Sequence, residues 1–372
     1  MHVNFLKELS CESPALSLDW AIDAETGEVS LGVATRGGKF FIVNPTEGEI
    51  KEHVELDPPT PIWRVVGNHH ASPGACAFAL ATLDGGVIGI KGEEGVMWQH
   101  PFGSSCGTIS FADHAVDGTQ LVVAGGLDRS LRGIDPVTGK FVWGAMFPAG
   151  VGFVDIYPLE DNIVAVAGDT AGAVRSYDAF SGTMLWYADF GASARFCVPL
   201  EDETATGESL WMAGTDEKMV HIFPVAGEKA GAPVTSAPCI EYPWQARHVA
   251  PGATVVTMYN FANILGEEPS AAGQIAAFSN DGRELWSTTI AGSAEDFVIS
   301  EKGDGNAPAL FVGTTIGTVL QLDSTSGEVQ AVLPLANEPL NGLKQLPSIP
   351  GADSMLAVAC DDGRIFLVDA NR

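Results

Sequence analysis

A short turn signature returns along this chain at a nearly constant interval. Asp135-Pro136-Val137-Thr138-Gly139 is followed four residues later by Trp143, and Asp178-Ala179-Phe180-Ser181-Gly182 is followed by Trp186. The equivalent glycines are separated by 47, 44, 43, 45, 55 and 45 residues; they are Gly48, Gly95, Gly139, Gly182, Gly227, Gly282 and Gly327. A signature repeated at this period indicates an array of equal structural units.

Each unit is predicted to contain four short β-strands. In one unit, apolar stretches at 108–111, 120–125, 130–135 and 140–143 alternate with turn residues. Asp accepts backbone N–H bonds in a tight turn and Gly supplies a positive φ, so the signature is placed between the third and fourth strands. Tryptophans at matching places on the fourth strand are predicted to fill the wedge between neighbouring units; they are Trp98, Trp143, Trp186 and Trp286.

Eight such units predict an all-β fold, an eight-bladed β-propeller with four-stranded antiparallel blades. The first strands are predicted to begin near Ala15, Ile62, Gly107, Val151, Ala194, Trp244, Asp296 and Leu340. The last unit lacks its own outer strand, so residues 2–9 are predicted to supply it and close the ring. We therefore expect one propeller domain over residues 1–372, with a loop insertion in blade six at residues 260–272.

The repeat pattern Gly-x-Val-x-x-x-Asp-x-x-Thr-Gly-x-x-x-Trp, clearest at 130–143 and 172–186, resembles the quinoprotein (PQQ-like) repeat. Repeats of this type build the eight-bladed propellers of quinoprotein alcohol dehydrogenases and of a bacterial outer-membrane assembly lipoprotein. The dehydrogenases hold their quinone with two adjacent cysteines, whereas the six cysteines of this chain are never adjacent. The resemblance therefore implies a non-enzymatic propeller with no quinone, other cofactor or metal.

The charge of the chain bounds its partners. Acidic residues number 47 against 19 basic ones, which gives a net charge of −28. A distributed acidic surface repels phosphate and anionic lipid, so neither nucleic acid nor a membrane surface is expected to bind. The chain has no run of about 18 apolar residues that would insert into a membrane, and its first residues lack the apolar core of a secretory signal. We expect a cytoplasmic protein.

The candidate site residues lie where a propeller usually binds its partners, around one mouth of the central channel. Arg64, Arg195 and Arg247 lie near the starts of first strands in blades two, five and six, and would form a cationic ring if they all point inward. Pairing with neighbouring acids such as Asp155, Glu295 or Asp296 is the alternative.

Trp63 and Trp244 adjoin these arginines and follow proline-rich entry loops. Aromatic residues beside arginines are typical of protein-binding surfaces, although packing between blades would also explain them. In the blade-six insertion, Phe261, Ile264 and Leu265 are apolar residues in a loop that should be solvated. They indicate either a partner surface or a loop that folds back on its own blade.

The sequence therefore predicts a non-enzymatic scaffold that binds a protein partner through one propeller face. The residues predicted to carry that contact are Trp63, Arg64, Arg195, Trp244, Arg247, Phe261, Ile264 and Leu265. Two alternatives remain open: a binder of a small anionic ligand, or a propeller enzyme, that uses the channel mouth; and a structural subunit of a larger complex.

Overall fold

The computed structural model describes residues 4–70, 72–114, 118–159, 162–200, 209–250, 252–264, 271–300, 308–348 and 354–370. Within them, the strands form eight separate antiparallel sheets of four strands each. Each sheet is one blade, in which the first strand faces the central channel and the fourth lies at the rim. The structure thus confirms the predicted eight-bladed β-propeller.

The first four blades follow one another in chain order. Blade 1 contains β2 (Ala15–Ile22), β3 (Val29–Thr35), β4 (Lys39–Asn44) and β5 (Glu49–Glu55), after the strand β1 (Asn4–Ser10). Blade 2 contains β6 (Ile62–Gly67), β7 (Phe78–Thr82), β8 (Gly86–Ile90), a 3-10 helix (Gly92–Glu94) and β9 (Val96–Pro101). Blade 3 contains β10 (Cys106–Asp113), β11 (Gln120–Gly126), β12 (Ser130–Ile134) and β13 (Phe141–Met146). Blade 4 contains β14 (Val151–Leu159), β15 (Asn162–Asp169), β16 (Ala173–Asp178) and β17 (Met184–Asp189).

The remaining blades continue the pattern. Blade 5 contains β18 (Ala194–Pro199), β19 (Leu210–Thr215), β20 (Met219–Pro224) and β21 (Thr235–Pro238). Blade 6 contains β22 (Tyr242–Ala250), β23 (Ala253–Tyr259), the short helix α1 (Phe261–Ile264), β24 (Gly273–Ser279) and β25 (Glu284–Ile290). Blade 7 contains β26 (Ala294–Ser300), β27 (Ala309–Thr314), β28 (Thr318–Asp323) and β29 (Val329–Pro334). Blade 8 contains β30 (Leu340–Gln345), β31 (Met355–Cys360) and β32 (Arg364–Asp369).

The N-terminal strand closes the ring. β1 pairs with β32 in antiparallel fashion, from Asn4 opposite Asp369 to Ser10 opposite Arg364. Blade 8 therefore gains its rim strand from the other end of the chain, as predicted, and the two ends of the blade array are joined.

The apolar core is divided among the contacts between blades. Within the described residues, eight clusters of buried apolar side chains form, one between each pair of neighbouring blades. The cluster between blades 8 and 1 places Leu18 and Leu31 against Met355 and Ile365. Burial of this kind, on the order of 2 kcal/mol for each large side chain, makes every blade depend on both of its neighbours.

The repeated turn and the tryptophan form one contact. Asp135 Oδ1 accepts hydrogen bonds from the backbone N–H groups of Val137 and Thr138, at 2.9 and 2.7 Å. The turn ends at Gly139 with a φ of +68°. Trp98 of the preceding blade donates its indole N–H to the carbonyl of Pro136 at 2.9 Å, and a Cβ on Gly139 would lie 2.7 Å from its ring. The signature thus joins consecutive blades.

The same contact recurs at other interfaces. Trp143 donates to the carbonyl of Ala179 at 2.9 Å, and Trp286 donates to that of Ser324 at 3.1 Å. Trp186 instead packs against Trp211 of the following blade, with 5.1 Å between ring centroids. The packing role predicted for these tryptophans is confirmed.

The inner strands are joined by polar side chains. The N–H of Val154 donates to Thr108 Oγ1 of the preceding blade at 2.8 Å, and that of Leu343 donates to Asp296 Oδ2 at 3.0 Å. The N–H of Gly67 donates to Asp19 Oδ2 at 3.0 Å in the same way. These bonds serve backbone groups on the channel-facing edge of a strand, where no sheet partner is available.

Replacing Trp143 by Ala is expected to lower the free energy of unfolding by about 3–5 kcal/mol, because it empties a packed interface and leaves a carbonyl without its donor. Urea unfolding followed by circular dichroism measures this loss. Trp63→Ala is the matched control, since Trp63 is 48% exposed and its removal should change stability by no more than about 1 kcal/mol. Equal losses in both variants would show that the predicted role of the interface is wrong.

Candidate functional site

A ring of β-bulges surrounds one mouth of the channel. Every first strand contains a bulge near its start, where one residue has no partner on the second strand. The unpaired residues are Leu16, Trp63, Gly107, Gly152, Arg195, Trp244, Glu295 and Asn341. A bulge re-aims its side chain away from the regular ladder, so these eight positions can differ without disturbing the blades.

Blades 5 and 6 bring three of the predicted site residues together. The guanidinium of Arg195 lies 5.4 Å from the ring centroid of Trp244 and 5.8 Å from that of Phe261. Its Nη2 also donates to Asp216 Oδ2 at 2.8 Å. The paired charge on Asp216 neutralises Arg195, and the two rings hold it in place by cation–π attraction.

A second layer supports this cluster. Phe261 packs against Tyr242, with ring centroids 4.4 Å apart. Lys218 lies 4.8 Å from the ring centroid of Tyr242 and pairs with Glu241 at 3.0 Å. Its ammonium also donates to the carbonyl of Ile240, whose side chain is 69% exposed. The cluster is therefore rigid and internally neutral, with one apolar side chain projecting from it.

Glu295, which is partly buried, and Tyr259, which is buried, form a pair at the edge of the cluster. The Tyr259 hydroxyl donates to Glu295 Oε1 at 2.6 Å, and the Tyr259 ring lies 5.0 Å from that of Trp244. Burial raises the pKa of Glu295 to about 7, and the charges of Asp296 and Asp361 act in the same direction, whereas the Tyr259 hydrogen bond opposes them. Burial also raises the pKa of Tyr259, with a further contribution from Glu295.

The channel below the mouth contains opposed charges. Burial raises the pKa of Asp155, while the positive charges of Arg64, Arg247 and Lys344 act to lower it. Arg247 Nη2 lies 3.9 Å from Asp296 Oδ1, and its Nε donates to the carbonyl of Phe297 at 3.0 Å. Arg247 thus lies near a carboxylate of the next blade, and its charge acts on Asp155 together with those of Arg64 and Lys344.

The three arginines do not form one cationic ring at the mouth, because they occupy different levels of their first strands. Arg195 is a bulge residue, Arg64 is one residue beyond its bulge, and Arg247 is three residues beyond its own. Since side chains alternate along a strand, Arg64 and Arg247 point to the same side of their strands, and the bulge re-aims Arg195 away from that pattern. The alternative, pairing with acids, describes the observed contacts of Arg195 and Arg247.

Trp63, another predicted residue, is separated from the cluster. Trp63 lies in blade 2 at the mouth and is exposed. The helix α1 lies between the second and third strands of blade 6, where the insertion was predicted. Leu265, like most of the insertion, lies outside the described residues, and so does the side chain of Ile264. Phe261 folds back onto its own blade, as one of the two interpretations proposed.

Sequence reasoning missed several residues of the mouth. Ile240 and Tyr259 were not among the predicted contacts, and neither were the bulge glycines Gly107 and Gly152; Glu295 was predicted only as an acid that could pair with an arginine. An apolar residue in a polar entry loop was an available signal for Ile240. Tyr259, Gly107 and Gly152 are recognised only from the register of the first two strands.

A match to a protein-family model identifies the family of the chain. The model described as "Outer membrane protein assembly factor BamB" matches residues 51–239, which is just over half of the chain. The chain belongs to this family. The match spans blades 2 to 5 and confirms the PQQ-like repeat that the sequence predicted. No curated protein matches the chain.

Solved structures share the fold of this BamB-family chain. Sqt1 from Saccharomyces cerevisiae superposes with a TM-score of 0.77 at 11% identity, covering 99% of each chain. The computationally designed protein Ika8 superposes with a TM-score of 0.70 at 12% identity, covering 96% of each. At such low identity the likeness concerns architecture alone.

The described residues can also be compared with the requirements of membrane-spanning helices, metal sites and disulfides. None of their helices is long and apolar enough to cross a membrane. Their His, Cys, Asp and Glu side chains form no group of three or more that could hold a metal ion. All six cysteines are buried and free.

The raised pKa of Glu295 predicts a pH dependence of stability. The folded chain binds this proton more tightly than the unfolded chain, so the stabilisation is complete below about pH 4 and is lost as the pH rises towards 7. Glu295→Gln keeps an acceptor for Tyr259 and removes the titration. Between pH 4.5 and 7.5, its free energy of unfolding relative to wild type is expected to rise by about 1–3 kcal/mol.

Denaturant unfolding at a series of pH values measures this difference. Glu338→Gln, at an exposed position after β29, is the control and should follow the wild-type profile. Parallel profiles for Glu295→Gln and wild type would contradict the prediction.

Proposed function

We propose that the chain is a non-enzymatic platform that binds a protein partner through the channel-mouth face. The observation that carries this proposal is the exposure of large apolar side chains on that face of a strongly acidic molecule. They come from entry loops, bulges and turns between second and third strands; they are Trp63, Leu83, Leu127 and Ile240. Apolar anchors surrounded by polar residues are typical of protein-binding surfaces.

The shape of the mouth supports this proposal. An added Cβ on Gly107 would meet no atom within 4 Å, and one on Gly152 would meet none closer than 3.8 Å. These glycines occupy the bulge positions between Trp63 and Arg195. The edge of the channel mouth therefore carries no side chain at these positions of blades 3 and 4. This leaves room for a partner side chain beside the exposed Trp63.

The electrostatics argue against a small anionic ligand. Arg195 is paired with Asp216, and Arg247 lies near Asp296. An anion would have to displace carboxylates that already neutralise these cations, which costs more than binding to free guanidinium groups. A partner that contacts the exposed apolar residues leaves these pairs intact.

The pair of Glu295 and Tyr259 favours a second candidate function, an enzyme that uses the mouth. A carboxyl group with a pKa of about 7 can exchange a proton near neutral pH. Burial, together with the charges of Asp296 and Asp361, gives a structural reason for this pKa, so we rank the platform first. The family description, which names an assembly factor, also supports action through protein contacts. A cytoplasmic location stays a prediction.

Substitutions on the mouth face test the platform. Trp63→Ala and Ile240→Ser are each expected to weaken capture of a specific partner at least tenfold, because they remove apolar anchors at little cost to the fold. Gly107→Arg should block the same partner, since its backbone can accept a side chain and the space around it is open. Affinity capture with the tagged full-length chain, followed by titration of the captured protein, measures these losses.

Val137→Ala is the matched control, because Val137 is 47% exposed and lies in a turn on the opposite face. It should bind like wild type. A captured protein that all four variants retain equally would contradict the placement of the docking surface. Turnover that is lost in Glu295→Gln but kept in Trp63→Ala would favour the enzyme instead.

A further inference from the structure

A second apolar surface lies on the outer rim, away from the channel mouth. The fourth strands of blades 3 and 4, β13 and β17, carry six large exposed side chains. They are Phe141, Val142, Met146, Met184, Leu185 and Tyr187, with exposed fractions between 43% and 59%. We call these six residues the rim patch.

The rim patch lacks the usual protection of an open sheet edge. In blade 1, β5 exposes alternating polar residues along its length, and its Glu55 pairs with Lys39 at 2.8 Å. Charged residues of this kind keep edge strands from associating. Strands β13 and β17 contain a single charged residue between them, Asp189. The two adjacent edges are therefore suited to contact with another surface.

The patch is also held rigid. Arg175 of blade 4 donates to the carbonyl of Met146 at 2.7 Å, which ties the end of β13 to the next blade. The same guanidinium lies 4.7 Å from the ring centroid of Phe147 and 5.7 Å from that of Tyr187. A fixed surface loses little conformational freedom when it is covered.

We propose that the rim patch is an interface between two copies of this chain. Two strands of matching pattern, Phe141-Val142-Trp143 and Met184-Leu185-Trp186, allow a two-fold arrangement in which β13 of each copy faces β17 of the other. About half of the surface of these six large side chains is exposed, so each copy could bury roughly 500 Å² there. This area is at the lower end of the range for specific interfaces. That area is appropriate to a weak, reversible dimer.

The net negative charge of the chain favours contact through the rim patch and makes the association depend on salt concentration. Two copies that each carry a net charge of −28 repel one another, and a surface with few charged residues is where they approach with the least repulsion. Raising the salt concentration from 0.1 to 1 M shortens the screening length from about 10 to 3 Å. Association should therefore strengthen as salt is added.

Sedimentation velocity of the full-length chain over a range of concentrations tests the proposal. We expect a reversible monomer–dimer equilibrium whose dissociation constant falls at least fivefold between 0.1 and 1 M NaCl. The double variant Met146→Lys with Leu185→Lys should weaken association at least tenfold, because it places buried charges in the interface. Circular dichroism and thermal unfolding establish that each variant is folded.

Val329→Lys with Val332→Lys is the matched control. Both residues are exposed on β29, the rim strand of blade 7, and the change in net charge is the same. This control should dimerise at least as well as wild type. A chain that stays monomeric at every concentration and salt level, or equal loss of dimer in both double variants, would overturn the proposal.

Discussion

The ring depends on side chains that bridge blades which share no backbone ladder. Each blade is a separate four-stranded sheet with no strand beyond its inner edge. Its inner strand therefore presents unpaired N–H and C=O groups to the channel. Thr108 and Asp296 bond to the inner strand of the next blade, and at the rim Trp98 and Trp143 bond to the next turn. Contacts inside and outside thus fix each blade against its neighbour, with an apolar cluster between them.

Because these contacts between blades do not use the bulge residues, the channel mouth can carry a functional site. Thr108 and Asp296, which bond to the next blade, lie one position beyond their bulges, and Asp19 lies three positions beyond its own, whereas the bulge residue itself belongs to no ladder. Glycine, tryptophan, arginine and glutamate all occupy that position within one ring. The scaffold therefore tolerates chemical variety at its mouth, and the mouth inherits the rigidity of the scaffold.

The sequence predicts the architecture well because the same turn signature recurs in successive blades. Gly139 and Gly182 both have positive φ, and the first strands begin within two residues of their predicted places. The site was harder to predict, because one residue of register decides which way a side chain points. Arg64 and Arg195 look equivalent by position, yet only Arg195 is a bulge residue. Glu295 meets Tyr259 only because neighbouring blades bring them together.

The two exposed apolar surfaces point in different directions, and this matters for the proposed platform. The mouth opens along the axis of the ring, whereas the rim patch faces outward from blades 3 and 4. A dimer formed through the rim patch would leave both mouths free, so each assembly would present two docking sites. Such a pair can hold a partner with two matching segments far more tightly than one mouth can, because the second contact forms at high effective concentration. Weak dimerisation would then make partner binding depend on the local concentration of the chain itself.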